Sequence, residues 1–302
     1  MLRYSKIAFI ILSIISFASL QCRGQKNSTF QYSYGGSGGD YGGPIMQLPD
    51  NGFILTGITN SFGAGGDDII VIRVDSLGKQ IWSRTYGGSS DEGLVSHYVY
   101  PSMDITLSPD TSIVICTNTE SYGSGGKDVY LLKLDLKGNV KWSRTYGGSS
   151  DDIGYGILND PKGGFLITGQ TFSYGAGNGD VWLIKTNDTG GVVWTNTYGN
   201  SSNEEAAYMI IPTIDGNYLM GGYSYGLYSY DFMLIKVNSN GKMLWSKVFG
   251  TSGSDYPTSI IELPDKSIYF DGSASTGSIT TNITKLDSVA ISSGQKLITR
   301  VP

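Results

Sequence analysis

The string VKWSRTYGGSSDD at residues 140–152 decides the fold, because close copies of it recur along the chain. The copies read IWSRTYGGSSDE at 81–92, VVWTNTYGNSSNE at 192–204 and MLWSKVFGTSGSD at 243–255. Their tryptophans are 60, 52 and 51 residues apart, which indicates a period of 51–52 residues with one longer unit. Self-similarity at such a period is typical of repeat architectures, including propellers and solenoids.

One complete unit shows how each repeat is built. It contains four short apolar or alternating runs, at Gly154–Leu158, Phe165–Thr171, Asp180–Thr186 and Val192–Tyr198, separated by turn-forming residues. Four strands joined by hairpin-length connections match one blade of a β-propeller. The 3.6-residue apolar period of helices is absent, so the sequence predicts an all-β protein.

The number of closing strands predicts the number of blades. These strands are expected at 80–86, 140–146, 192–198, 243–249 and 295–301. A further segment, Phe30–Tyr34, has the sequence of a closing strand and precedes the first unit. We therefore predict a β-propeller of five four-stranded blades, closed by an N-terminal strand that completes the fifth blade and leaves no exposed edge.

Residues that recur in every unit are explained by the blade. One tryptophan per blade, such as Trp82, is expected to fill the gap between neighbouring sheets. An aspartate opens the same strand in four units, and we expect it to cap the preceding turn through side-chain-to-backbone hydrogen bonds. These aspartates are Asp68, Asp128, Asp180 and Asp231. Function is expected where one copy departs from the others.

The N-terminus predicts export. Arg3 and Lys6 precede the apolar run Ile7–Leu20, which suits the apolar region of a signal peptide and is shorter than the roughly 20 residues of a spanning helix. We assign residues 1–24 to a signal peptide and 25–302 to a single propeller domain. The mature protein is expected to be secreted or held at the cell envelope.

The end of the signal peptide has two interpretations. Ser19–Cys22 resembles a lipobox, in which Cys22 would be lipidated, and the alternative is ordinary cleavage after Gly24. The membrane is therefore expected as a partner only through such an anchor. After cleavage at Gly24, Cys116 is the one cysteine left, which excludes a disulfide framework.

Charge narrows the range of partners. Removal of residues 1–24 takes away Arg3, Lys6 and Arg23, leaving 18 basic and 26 acidic residues. An acidic domain without a basic cluster argues against nucleic acid. We expect a monomer whose partner is a protein or a glycan at the cell surface.

The repeat resembles that of the β-propeller repeat proteins found on bacterial and archaeal cell surfaces. The resemblance is carried by Ser-x-Gly-x-Gly-x-Asp at 61–67, Asp-x-x-Gly-x-x-x-Trp at 75–82 and Thr-Tyr-Gly-Gly at 85–88, and covers about residues 29–287. It implies the propeller fold together with a role in binding or adhesion.

Neither a metal nor a cofactor is predicted. His97 is the one histidine, which rules out a multi-histidine metal site. Asp67 and Asp68 offer oxygens of the kind calcium prefers. Other units replace Asp67 with Lys127, Gly179 or Tyr230, so no common calcium site follows from the sequence.

Two departures from the repeat supply the candidate binding residues. The long unit carries an insertion, His97–Met103, with His97, Tyr98 and Tyr100. The fourth unit replaces its glycine-rich loop with a tyrosine-rich one. Its candidates are Tyr223, Tyr225, Tyr228 and Tyr230. Tyrosine presents a flat apolar ring and a hydroxyl, which suits ligand binding, and for Tyr225 and Tyr228 packing against neighbouring blades is an equally supported interpretation.

We predict no catalytic residues, and the function favoured is non-enzymatic binding. The alternative is a polysaccharide-acting glycosidase, because the pairs Asp91–Glu92, Asp151–Asp152 and Glu204–Glu205 could act as acid and base. The pairs fall at equivalent places in successive blades, which favours a structural role for them.

Overall fold

Each predicted repeat folds into one antiparallel sheet, giving five sheets in the part of the chain that the structure describes. The computed structural model describes residues 31–93, 102–226, 229–250, 253–275 and 279–286. Strands that follow one another in the chain pair side by side, so each sheet is an up-and-down blade. The predicted all-β, five-bladed architecture is confirmed.

The strands are numbered in chain order and take up four positions in each of the first four blades. Blade 1 consists of β1 Asp40–Gln47, β2 Phe53–Thr59, β3 Asp68–Val74 and β4 Gln80–Tyr86. Blade 2 consists of β5 Asp104–Leu107, β6 Ile113–Thr119, β7 Asp128–Leu134 and β8 Val140–Tyr146. Blade 3 consists of β9 Asp152–Asn159, β10 Phe165–Thr171, β11 Asp180–Thr186 and β12 Val192–Tyr198. Blade 4 consists of β13 Glu204–Pro212, β14 Tyr218–Tyr225, β15 Tyr230–Val237 and β16 Met243–Phe249. In the described residues, blade 5 has β17 Asp255–Glu262, β18 Ile268–Ser275 and β19 Ile279–Leu286.

The predicted strand boundaries in blade 3 hold for β10, β11 and β12. The first strand, β9, is longer than the predicted Gly154–Leu158. Its pairing with β10 continues at both ends, where Asp152 lies opposite Thr171 and Asn159 lies opposite Phe165.

Apolar side chains fill the space between neighbouring blades. Ile69 of blade 1 and Ile113 of blade 2 are fully buried in one cluster. Trp82 packs against the same cluster, and its indole N–H donates a 3.1 Å hydrogen bond to the Leu136 carbonyl of blade 2. The predicted inter-sheet role of this tryptophan is confirmed. Cys116 is fully buried, and burial raises the pKa of its thiol, so it acts as a small apolar residue.

Asp68, Asp128 and Asp180 cap turns, as predicted. The Ala64 N–H donates to Asp68 Oδ2 at 2.8 Å, and the Ala176 N–H donates to Asp180 Oδ2 at 2.8 Å. Asp128 accepts an equivalent backbone hydrogen bond. These bonds fix the loop between the second and third strands of blades 1, 2 and 3.

The prediction of a closing strand at Phe30–Tyr34 is wrong for residues 31–34, which form no strand. Phe30 lies outside the described residues. Residues 31–34 pair with no described strand, and the described sheet of blade 5 ends at β19. Tyr34 instead lies against blade 1, where its hydroxyl donates to the Gly78 carbonyl at 2.5 Å. An open cavity of about 430 Å³ lies beside Ser33–Gly35. The strand predicted at 295–301 lies outside the described residues.

The insertion in the long unit is buried at its C-terminal end. Ser102 and Met103 are buried, and Met103 packs into the core between blades 1 and 2. Removing an apolar side chain from water into that core stabilises the fold. Residues 94–101 lie outside the described part of the chain.

The first strand of each blade lies at the inner edge, beside the first strands of its neighbours. Thus β1 lies beside β5, β5 beside β9, β9 beside β13, and β13 beside β17. Side chains on these inner strands from different blades therefore converge. The described residues include no helix long and apolar enough to cross a bilayer.

Candidate functional site

The tyrosine-rich departure in blade 4 forms an extended hairpin. Tyr225 at the end of β14 pairs with Tyr230 at the start of β15, so the strands are longer here than around the glycine-rich loops. Tyr223, Tyr225 and Tyr230 lie on one face of the sheet because side chains alternate along a strand. The rings of Tyr223 and Tyr230 are 5.0 Å apart, and those of Tyr225 and Tyr230 are 4.4 Å apart.

Two further tyrosines enter from bulges on the inner strands. Tyr155 is the unpaired residue between Gly154 and Gly156 of β9, and Tyr208 holds the equivalent place in β13. A bulge leaves one residue outside the ladder and re-aims its side chain. The two rings meet edge to face at 4.6 Å, and Tyr208 lies 5.5 Å from Tyr223.

Blade 5 contributes the last ring. Tyr256 of β17 lies 5.1 Å from Tyr230 at an interplanar angle of 33°. Tyr225 approaches Tyr230 at 34°, and the three rings form a staggered stack. Tyr225 and Tyr256 are 37% and 39% exposed, so their rings are open to solvent. We call the six residues Tyr155, Tyr208, Tyr223, Tyr225, Tyr230 and Tyr256 the tyrosine cluster.

A polar group lies at the base of the tyrosine cluster. Glu204 accepts hydrogen bonds from the Tyr223 hydroxyl at 2.7 Å and from Gln170 Nε2 at 3.1 Å. Gln170 and Tyr223 are both buried. Burial raises the pKa of Tyr155, Tyr208 and Tyr223. The phenols therefore stay protonated at neutral pH and act as neutral hydrogen-bonding groups.

Of the seven predicted binding residues, the structure brings three together. Tyr223 is buried as a support, whereas Tyr225 is exposed and Tyr230 lies between the exposed rings. The other four lie outside the described residues, as does the predicted lipidation site Cys22. Those four are His97, Tyr98, Tyr100 and Tyr228.

Sequence reasoning missed Tyr155, Tyr208 and Tyr256. The first two occupy equivalent places in successive units, so neither marks a departure of one unit from its neighbour. A signal was present, because the same bulge position in blade 5 holds Thr258 and not a tyrosine. A position that varies while its neighbours repeat is a place to look for binding.

The carboxylates considered for catalysis have separate structural roles. Asp91 accepts the Asp67 N–H at 2.9 Å, and Asp151 accepts the Lys127 N–H at 2.9 Å. Glu92 and Asp152, which follow these two residues, are buried between blades. Of the carboxylates in the pairs, Glu204 contacts the tyrosine cluster. Among the described residues, no group of three or more histidine, cysteine, aspartate or glutamate side chains is placed to hold a metal ion.

Comparison with known proteins supports the fold. No protein-family model and no curated protein matches this chain. An α-L-arabinanase from Penicillium chrysogenum, complexed with arabinobiose, matches with a TM-score of 0.52 at 14% identity, covering 79% of this chain and 76% of that one. An endo-arabinase from Bacteroides thetaiotaomicron matches with a TM-score of 0.47 at 13% identity, covering 82% of this chain and 93% of that one.

A protein that is not an arabinanase also matches. Drosophila Plexin A, in complex with Semaphorin 1b, has a TM-score of 0.45 at 10% identity, covering 83% of this chain and 52% of that one. At such identities a likeness shows the fold alone. The chain is a five-bladed β-propeller.

Proposed function

We propose that this chain is an exported, non-catalytic binding module that captures a glycan on the tyrosine cluster. The observation that carries the proposal is the stack of Tyr225, Tyr230 and Tyr256, whose two outer rings are exposed beside the half-buried Glu204. A sugar ring has an apolar C–H face that packs on an aromatic ring, and hydroxyls that pair with neighbouring polar groups. The cluster offers both kinds of contact.

The size of the exposed platform favours a glycan over a protein. A stable protein interface buries roughly 800 Å² on each partner. The exposed part of the cluster consists chiefly of the Tyr225 and Tyr256 rings, which match a few sugar units. Capture of a protein in place of a glycan is the competing outcome of the binding test.

Export and the envelope location rest on the predicted signal peptide at residues 1–24. Mass spectrometry of the mature N-terminus distinguishes a lipid anchor from free secretion. A diacylated Cys22 would indicate a lipid anchor, and a free N-terminus at Gln25 would indicate ordinary secretion.

Glycoside hydrolysis is the second candidate function. It needs two carboxyl groups roughly 5–10 Å apart around the scissile bond. In the described residues Glu204 contacts the cluster, whereas Glu205 points into the blade boundary, as the alternation of a strand requires. This arrangement favours binding without turnover.

The binding test starts from a glycan array probed with the purified mature chain. Tyr225→Ala and Tyr256→Ala should each lower affinity for the captured glycan about tenfold, which corresponds to about 1.4 kcal/mol. Tyr41→Ala is the matched control, because Tyr41 follows the first aspartate of its inner strand as Tyr256 does, and is 44% exposed. Unchanged binding by both cluster variants would refute the site.

The enzymatic alternative is tested on a polysaccharide panel that includes arabinan, since arabinanases share the fold. We expect no product from the wild-type chain. Turnover that Glu204→Gln abolishes would replace the binding proposal with the glycosidase.

A further inference from the structure

Pairs of carboxylates from neighbouring blades converge at the blade boundaries. One member opens the third strand of a blade. The other is Asp152 or Glu205 at the start of the next inner strand, or Glu92 in the connection that precedes β5. The pairs are Asp68 with Glu92, Asp128 with Asp152, and Asp180 with Glu205, and we call them the boundary pairs.

A glycine backbone lets the two carboxylates of each pair approach one another. A methyl group on Gly87 would lie 1.8 Å from Asp68 Oδ1 and 2.2 Å from Glu92 Oε2. A methyl group on Gly199 would lie 1.9 Å from Asp180 Oδ1 and 2.7 Å from Glu205 Oε2. Oxygens of both carboxylates thus lie against the same side of the glycine, close to one another.

Some of these oxygens have no donor in the part of the chain that the structure describes. Asp68 Oδ1 and Glu205 Oε2 are buried without a hydrogen-bond partner, and their residues are 1% and 3% exposed. The other oxygen of each carboxylate is occupied. Asp68 Oδ2 accepts the Ala64 N–H, and Glu205 Oε1 accepts the Asn200 amide at 2.8 Å. The unpartnered oxygens are the ones that lie against Gly87 and Gly199, beside the other carboxylate of each pair. The facing Glu92 Oε2 accepts the Gly88 N–H at 3.0 Å.

The negative charge of the pairs has no basic partner among the described ion pairs. The lysines and arginines in those ion pairs bind other carboxylates. Burial, together with the charge of Asp180, raises the pKa of Glu205 to about 7. Two buried carboxylates are costly unless a proton or a cation compensates them.

We infer that the boundary pairs are binding sites for a hard divalent cation, with Ca²⁺ the best match. The groups that meet there are oxygens, which Ca²⁺ accepts in irregular sets of six to eight completed by carbonyls and water. Mg²⁺ demands a stricter octahedron, and Zn²⁺ prefers nitrogen and sulfur. A cation between two blades would also join them.

The test uses the full mature chain, stripped with a chelator and exchanged into buffer at pH 8. Native mass spectrometry counts bound ions, and calorimetry measures the melting temperature in CaCl₂, MgCl₂ and NaCl at matched ionic strength. We expect one Ca²⁺ per boundary pair and a rise in melting temperature of several degrees, with a smaller rise in Mg²⁺.

A double variant tests whether one of the ions binds at the Asp180–Glu205 pair. Asp180→Asn combined with Glu205→Gln keeps the shape of both side chains and removes their charge, so the ion count should fall by one. Glu120→Gln is the control, because Glu120 is a surface carboxylate paired with Lys127 at 2.6 Å, and it should leave the count unchanged. Should the double variant fail to fold, Glu205→Gln alone gives the same measurement.

Two results would overturn the inference. One is the absence of bound Ca²⁺; a melting temperature that rises as the pH falls from 8 to 5 would then mean that a proton occupies the pairs. The other is a Ca²⁺ count that neither variant of the Asp180–Glu205 pair changes, which would put the ion elsewhere.

Discussion

The hydroxyl of Tyr146 at the end of blade 2 donates a 2.7 Å hydrogen bond to the Gly190 carbonyl in the last turn of blade 3. Tyr86 makes the same contact with Gly138 of the next blade at 2.7 Å. The last residue of a closing strand therefore ties one blade to the next. Tyr34 makes this contact with blade 1 without belonging to a strand.

Tyr146→Phe should lower the free energy of unfolding by about 1–2 kcal/mol, because a buried carbonyl loses its donor. Urea unfolding measures the loss. Tyr174→Phe is the control, since its hydroxyl reaches the Gly147 carbonyl in an exposed position and its loss should cost less than about 0.5 kcal/mol. Equal losses for both variants would contradict the assigned role.

Asp160→Asn should lower the free energy of unfolding by about 3–5 kcal/mol, because it leaves the largely buried Lys185 ammonium without a counter-charge. The Lys185 ammonium lies 2.5 Å from Asp160 and is 12% exposed. The surface pair Glu120–Lys127 provides the comparison, where Glu120→Gln should cost at most about 1 kcal/mol. A small loss in Asp160→Asn would show that water replaces the carboxylate.

Acid should weaken the fold through the same carboxylate. Burial acts to raise the pKa of Asp160, but the Lys185 hydrogen bond and charge outweigh it, and the pKa lies below its ordinary value. Its stabilisation is present above the unfolded pKa of about 3.9 and is lost as the pH falls through the lower folded value. Unfolding curves below pH 4 should show a smaller pH dependence in Asp160→Asn than in the wild type.

Gly147→Ala should destabilise the chain by about 1–3 kcal/mol, because its methyl group would lie 1.6 Å from Asp128 Oδ1. Gly42→Ala is the matched control, since a methyl group there meets nothing within 4 Å. Thermal unfolding compares the two variants. Tolerance of the methyl group at Gly147 would mean that Asp128 can turn away from the boundary.

Tyr230→Ala should lower glycan affinity by about tenfold or more relative to the wild type, because it removes the ring that supports both Tyr225 and Tyr256. The loss should exceed that caused by Tyr225→Ala or by Tyr256→Ala. Calorimetric titration with a glycan identified on the array measures the change. An affinity equal to that of Tyr41→Ala would show that the stack is not the binding surface.

The blades could be predicted from the sequence because the residues that define each strand and turn are close together in the chain. Alternation and turn residues set the bounds of β10, β11 and β12, and the repeated Trp82 position identified the face that packs against the next blade. The conformation of residues 31–34 could not be predicted in the same way. Whether their backbone pairs depends on what lies beside it, and the Tyr34 contact with Gly78 needs no pairing.

The candidate site was predictable where the chain breaks its own repeat. Tyr223, Tyr225 and Tyr230 stood out for that reason. Tyr155 and Tyr208 did not, because their approach depends on two bulges and on the convergence of inner strands from different blades. A bulge is an irregularity of pairing between strands, and a single repeat carries no clear sign of it.

The bulge on the inner strands has a consequence for how this surface can change over generations. Tyr155, Tyr208 and Thr258 occupy a position that no partner residue faces across the ladder. A substitution there leaves the register of the strand intact. New ligand preferences can therefore arise one blade at a time, by single codon changes, while the architecture that presents them is inherited unaltered.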